Sequence, residues 1–152
     1  SNFIAMPESV LRETEAYLHE QIPLTRAMGV TLESWDGSRL ILHAPLEPNH
    51  NHLGTAFGGS LSALATLAGY SLLWLVLGDR QAHIVIRDST IRYRHPIKGA
   101  LRAICRRPAE DEMEAFQRQF AETGRARLSL HVTIEDAGKV CVEFAGSFVA
   151  MR

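Results

Sequence analysis

The sequence predicts an α+β domain in which a curved antiparallel sheet wraps around one long apolar helix. Three observations carry that expectation. Residues 54 to 78 contain no charged side chain, and a helix apolar on every side belongs inside a fold. On either side of that stretch, short segments alternate apolar and polar residues with the period of a strand. Turn signals at Asp36-Gly37-Ser38 and Asp136-Ala137-Gly138 join such segments pairwise, as antiparallel hairpins require.

Each element follows in chain order. Residues 8 to 22 place Val10, Leu11, Thr14, Tyr17, Leu18 and Ile22 on one stripe, an amphipathic helix ended near Pro23. Residues 30 to 46 read as two strands around Asp36-Gly37-Ser38, with Leu40, Leu42, Ala44 and Leu46 alternating in the second. The apolar helix comes next and stops near Gly78-Asp79. Residues 83 to 95 form a strand ending at Pro96, and residues 100 to 107 a further one. A polar helix between Pro108 and Gly124 carries Met113, Phe116 and Phe120 on one side, with Gly124 as its C-cap. The last hairpin sets Leu128, Leu130, Val132 and Ile134 against Arg127, Ser129, His131 and Thr133. After its turn come Val140, Val142, Phe144 and Phe148.

The chain of 152 residues is the length of one domain, and 46% hydrophobic with 22% charged residues is a globular mixture. One domain spanning 1–152 is expected. A formal net charge of −1 supplies no global basic field, so neither nucleic acid nor an anionic membrane is an expected partner. Leu61 to Leu77, interrupted by Ser62, Thr66, Gly69 and Ser71, falls short of a usual membrane span, so a buried helix is expected. Cys105 and Cys141 show no CxxC spacing and read as reduced, half-buried strand residues of a cytoplasmic protein. Ser1 and Asn2, ahead of the first methionine Met6, read as a cloning remnant.

The stretch Asn49 to Leu61, NHNHLGTAFGGSL, concentrates the chemistry. Gly58 and Gly59 open the long helix, whose first N–H groups have no internal partner and whose dipole leaves that end partly positive. Without side chains, the glycines let a carbonyl approach, and an N–H there stabilises an oxyanion in acyl transfer. The Asn51 amide ahead of them can hold a water or the carbonyl oxygen. The same two glycines also suit a plain tight turn. Their spacing matches neither a Walker loop nor a dinucleotide fingerprint. His50 and His52 form an H-x-H pair without a third ligand at a recognisable spacing, so a surface loop is expected and no metal. Ser60 lacks a nucleophile elbow and reads as a helix-start serine.

The run Asn51-His52-Leu53-Gly54-Thr55-Ala56-Phe57-Gly58-Gly59 resembles the N-x-x-G-T-x-H-G-G signature of hotdog-fold acyl-CoA thioesterases. Tyr93-Arg94-His95-Pro96 is similar to the Y-x-x-P strand end of that superfamily, and Leu64-Ala65-Thr66 falls where its members often carry Leu-Ala-Asp. The likeness covers roughly residues 20 to 150. The Phe57-Gly58-Gly59-Ser60-Leu61 form looks most like the YiiD C-terminal thioesterase family.

The resemblance implies a hotdog homodimer or tetramer with sites between protomers, no cofactor, and an acyl-CoA or acyl-carrier-protein thioester as substrate. It carries over Asn51 as the residue orienting water or thioester and the Gly59 N–H as oxyanion donor. It also implies a carboxylate at position 66 and a histidine at position 57. Here Thr66 and Phe57 stand in those places. A threonine hydroxyl orients a water but cannot take its proton near pH 7.

Asp88 is the alternative base. In a regular strand it shares a face with Ile86 and Thr90, and burial among apolar residues would raise its pKa. An ion pair with Arg87 or with Arg92 of a second copy is the competing reading. His50 and His52 are further candidates for the proton. Arg94, His95, Lys98, Arg106 and Arg107 read as one positive cluster, facing coenzyme A phosphates or forming a solvated edge. Phe57 and Gly58 join Arg94, His95 and Lys98 as expected substrate contacts. The helix over 110–123 either covers an acyl pocket or packs at the surface. Two functional alternatives accompany hydrolysis. One is a non-catalytic acyl-thioester binding or regulatory module; a dehydratase, lacking a His-Asp or His-Glu pattern, is the weaker.

Overall fold

The computed structural model describes residues 7–152, so Ser1, Asn2 and Met6 lie outside the described residues. Helices α1 (Glu8–Gln21) and α2 (Leu24–Met28) lead into β1 (Thr31–Trp35) and β2 (Arg39–Ala44). A single 3-10 turn, Glu47–Asn49, and the Asn51 loop then deliver the chain to α3 (Gly58–Leu77). Strands β3 (His83–Tyr93) and β4 (Leu101–Arg106), helix α4 (Glu110–Thr123), and strands β5 (Arg125–Asp136) and β6 (Lys139–Met151) complete it. The six strands form one antiparallel sheet in the order β1-β2-β4-β5-β6-β3. The architecture expected from the sequence is present, with α2 and the 3-10 turn added. Helix α2 is only five residues long, wedged between Pro23 and a left-handed Gly29 (φ 72°).

The central helix is long and apolar enough to cross a membrane by length and composition, yet Leu64, Ala65, Ala68, Leu72 and Leu73 are fully buried against the sheet. Gly69 permits the closest approach, because a Cβ there would lie 2.2 Å from the Phe148 ring of β6. Tyr70 meets the same ring edge-on at 5.8 Å. The helix ends at Gly78 in the left-handed conformation, donating to Trp74 O. In β5, Ala126, Leu128, Leu130, Val132 and Ile134 are buried on the inner face, as the alternation requires. Helix α4 buries Met113, Phe116 and Phe120 as expected and is capped by left-handed Gly124.

Two bulges correct the strand reading. In β3, Ile86 pairs with Phe148 and Asp88 with the adjacent Ser147, so Arg87 is an extra residue. One inserted residue exchanges the faces of everything after it. Ile84 and Ile86 therefore point inward, followed by Ser89, Ile91 and Tyr93, while Asp88 faces outward with Thr90. The expected shared face of Asp88 and Ile86 does not form. In β6, Ile134 pairs with Val142 but Glu135 with Val140, leaving Cys141 as the extra residue. Cys141 is consequently buried and Val140 is turned out to 40% exposure. Cys105 and Cys141 are both unpaired thiols and fully buried rather than half-buried.

Candidate active site

The site is assembled from the loop ahead of α3 and the segment that leaves β3. Asn49, 2% exposed, fastens the loop from below: its Nδ2 donates to Met28 O and Pro45 O, both at 2.8 Å. Its own carbonyl accepts Phe57 N at 2.8 Å. Ala56 N donates to Ile97 O at 2.8 Å, joining the loop to the β3–β4 connection. The bulged Cys141 carbonyl accepts both Arg94 N (2.8 Å) and His95 N (3.2 Å), fixing that connection from the other side.

Between these anchors lies a cavity of about 280 Å³, lined by Asn51, Thr55, Gly58, Leu61, Tyr93, Arg94, His95 and their neighbours. Asn51, Gly58, Arg94 and His95 are thus brought together as expected. Most of the Asn51 amide is engaged in shaping its own loop. Oδ1 accepts Leu53 N at 2.8 Å and Thr55 N at 3.2 Å, which fixes the orientation of the amide. One Nδ2 hydrogen goes to Thr55 Oγ1 at 3.0 Å, whereas the contact to Ala56 O is stretched to 3.5 Å. That second N–H is the one with capacity left for a ligand.

At the start of α3, Phe57 is the N-cap residue but contributes no side-chain bond. The first helical bond is Leu61 N to Phe57 O, 3.1 Å, so the N–H groups of Gly58, Gly59 and Ser60 have no acceptor among the described residues. No acidic residue occupies the first turn of this 20-residue helix to offset its positive end. Neither Gly58 nor Gly59 has positive φ, and the left-handed turn of the loop is made instead by Gly54 (φ 78°). Gly59 therefore answers to close approach rather than to tight turning, whereas a Cβ at Gly58 would make an ordinary contact. A Cβ on Gly59 would lie 2.4 Å from the Phe57 ring, and one on Gly58 would lie 3.6 Å from Tyr93. Ser60 sits in the first turn without a capping bond.

Five expected site residues do not line the cavity within one chain: Phe57 and Gly59, which adjoin it at the start of α3, and Thr66, Asp88 and Lys98. Thr66 is half-buried two turns into α3, and its hydroxyl donates to Ser62 O of its own helix at 2.9 Å. Asp88 lies exposed on the outer face of the sheet, so the burial its basic role required is absent. Lys98 is exposed beyond the cavity, with its backbone N–H on Asp136 Oδ2 at 2.8 Å.

The expected positive cluster divides in two. Arg106 and Arg107 are at the far end of β4 from Lys98, and Arg107 lies 3.7 Å from Glu110. Arg94 forms an ion pair with Glu143, both side chains about half exposed. Such a pair is weak and can open for a stronger anion. His50 turns its Nδ1 to Asn51 O at 2.9 Å, and no group of three metal-ligating side chains exists among the described residues.

Asn49 and Tyr93 escaped the sequence reading. Asn49 looks like any loop asparagine, whereas Tyr93 was visible as the first residue of the Y-x-x-P spacing. Its hydroxyl reaches Gly58 O at 3.4 Å, so its ring forms the wall between helix start and strand end.

A family model described as "Putative thioesterase (yiiD_Cterm)" matches residues 11–152. The chain belongs to this family. A protein of unknown function from Chlorobaculum tepidum TLS is 33% identical, with 96% of each chain covered and a TM-score of 0.90. A chain described as a "putative thioesterase" from Shewanella oneidensis is 28% identical, covering 96% of this chain and 100% of that one, with a TM-score of 0.83. A Pseudomonas aeruginosa protein at 24% identity, TM-score 0.80 and 99% coverage of both chains shares the fold. The sheet wrapped around α3 is the hotdog fold of these proteins. In this member of the YiiD C-terminal family the start of α3 is open, and Phe57 and Thr66 stand where the resembling signature implies a histidine and an acid.

Proposed function

We propose that the chain hydrolyses an acyl thioester of coenzyme A or of an acyl carrier protein, at a site completed by a second copy. The observation that carries the reading is the uncapped, acid-free start of α3 opening beside the Asn51–Tyr93–His95 cavity. The Gly59 N–H would donate to the thioester oxygen as it becomes an oxyanion, and the free Asn51 N–H would orient either that oxygen or the attacking water. Water adds to the carbonyl carbon and gives up a proton; the C–S bond then breaks, releasing a carboxylic acid and a thiol. With Asp88 on the outer face, His95 in the cavity is the better acceptor for that proton, histidine being the residue type suited to neutral pH.

A second copy is supported by β3. This edge strand of 11 residues is unpaired on one side and leaves Val85 41% and Tyr93 52% exposed, and Phe57 ahead of α3 is 55% exposed. Long uncovered edges invite strand pairing, and β3 against β3 would join two sheets into one. The partner's helix would then supply groups such as Thr66 to the opposite cavity. Two buried free thiols support a reducing, cytoplasmic setting.

Release of free thiol from a panel of short, aryl and long acyl-CoA substrates tests the reading. Asn51→Ala should lose most of that release. No thiol from any substrate would overturn hydrolysis.

One observation favours the non-catalytic alternative: Thr66 returns its hydroxyl to its own helix, and no carboxylate lines the cavity. A pure binder would show acyl-CoA affinity without turnover, and Asn51→Ala would alter affinity alone.

A further inference from the structure

A second cavity, of about 460 Å³, opens on the outer face of the sheet, well within the size range of small-ligand sites. Arg87, Arg125 and Arg127 line it, with Val149 as floor and Gln119 of α4 as a wall. No carboxylate lines it, and none of the three arginines lies within 4.0 Å of an acid among the described residues. On a chain of 16 lysines and arginines against 17 acids, three uncompensated guanidinium groups around one hollow are unexpected.

The fold explains how they converge. Val149 pairs with Arg127 on one side and with Val85 on the other, and the bulge inserts Arg87 two residues after Val85. Arg127 and Arg87 therefore flank Val149 from opposite sides. Arg125 joins from the next outward position of β5, its Nη1 donating only to the thioether of Met151 at 3.1 Å. The Thr123 hydroxyl is spent on Gln119 O and Arg125 O, so the Gln119 amide is the free neutral group of the wall. Three like charges around one hollow repel one another, and a multivalent anion relieves that repulsion. Guanidinium forks match phosphate oxygens in pairs.

From this geometry we infer a diphosphate-binding site at Arg87, Arg125 and Arg127, separate from the Asn51 cavity. It goes beyond the hydrolytic reading and does not depend on it. The diphosphate belongs either to the nucleotide end of a coenzyme A thioester or to a free phosphorylated metabolite.

Titration calorimetry of the whole chain with pyrophosphate tests the site directly. Wild type should bind, and Arg127→Ala and Arg87→Ala should each weaken binding by about tenfold or more. Arg127→Lys, which keeps charge and stem but loses the fork, should weaken it by several-fold. Arg102→Ala, which removes an arginine paired with Glu33 elsewhere, should bind as wild type does. Thermal melts identify any variant that fails to fold, in which case the remaining arginine variants decide. Absence of pyrophosphate binding by wild type, wild-type affinity in both Arg87→Ala and Arg127→Ala, or an equal loss in Arg102→Ala would each overturn the site. A parallel titration with adenosine 3′-phosphate 5′-diphosphate, which carries the diphosphate of the coenzyme A end, distinguishes the sources. Tighter binding than pyrophosphate, lost in the same variants, assigns the site to the coenzyme A end. Equal or weaker binding assigns it to a free ligand. Since no step uses turnover, an inactive protein leaves the result intact.

Discussion

Gly69 of α3 and Phe148 of β6 lie so close that a methyl group on residue 69 would sit 2.2 Å from the ring's Cζ. The contact sets how deeply the helix can settle into the sheet. Phe148 is fully buried and already crowds Gly146 of its own strand, at 2.9 Å from a would-be Cβ, so it has little room to yield.

Gly69→Ala should therefore destabilise the protein by ~1–3 kcal/mol from overpacking, overriding the gain of up to about 1 kcal/mol that alanine brings to an ordinary helix interior. Urea unfolding measures it. Gly69→Ala combined with Phe148→Leu should recover part of the loss, and a single variant as stable as wild type would contradict the packing described.

Thr66→Asp places a carboxylate at the helix position where the resembling signature implies one. If the cavity lacks only its base, thiol release should rise by about tenfold or more, with Thr66→Ala changing little. A Thr66→Asp protein that binds acyl-CoA but turns over no faster would point to a purely binding role.

Burial pushes the Cys105 thiol from 9.0 up to about 12. The folded protein should resist alkylation at pH 8 and react fully once unfolded, as followed by mass spectrometry. The linkage has a definite sign. With the folded pKa raised, this contribution to stability is complete below pH about 9 and declines as pH rises toward 12, because the unfolded thiol ionises first. Cys105→Ala should flatten the fall in stability between pH 9 and 11, and an unchanged slope would refute the assignment.

The β5–β6 turn places Ala137 at φ 53°, followed by Gly138 at φ 76°. A left-handed alanine carries a strain of roughly 1–2 kcal/mol, and asparagine is preferred at that position of a two-residue hairpin. Ala137→Asn should raise Tm by a few degrees, read by calorimetry.

Much of the fold was legible because composition and period admit few alternatives. A charge-free stretch beside alternating strands has one inexpensive home, inside the sheet. The Asp36 turn was equally plain, since its carboxylate accepts Ser38 N at 2.8 Å and Arg39 N at 2.7 Å. Helix α2 was hidden by its shortness, five residues between a proline and a glycine. Of the site, the loop motif and strand end pointed to the right neighbourhood, and Arg94 and His95 do line the cavity with Asn51. Asp88 went astray because nothing in His-Ile-Val-Ile-Arg-Asp-Ser-Thr announces an inserted residue. The single basic cluster failed for another reason: the strand expected over 100–107 itself carries Arg106 and Arg107 away from Lys98 to the far end of β4.

The Arg87 insertion behaves like a shift of reading frame written in three dimensions. Upstream of it, even-numbered residues of β3 face the core; downstream, odd-numbered ones do. Deleting that one residue would leave a regular ladder in which Asp88 still pairs with Ser147 and Tyr93 with Val142. Ile91 and Tyr93 would stay inward, and only the bulge and its arginine would be lost. The extra amino acid thus adds a guanidinium group to the outer hollow while the face that carries the tyrosine wall of the cavity keeps its pairing.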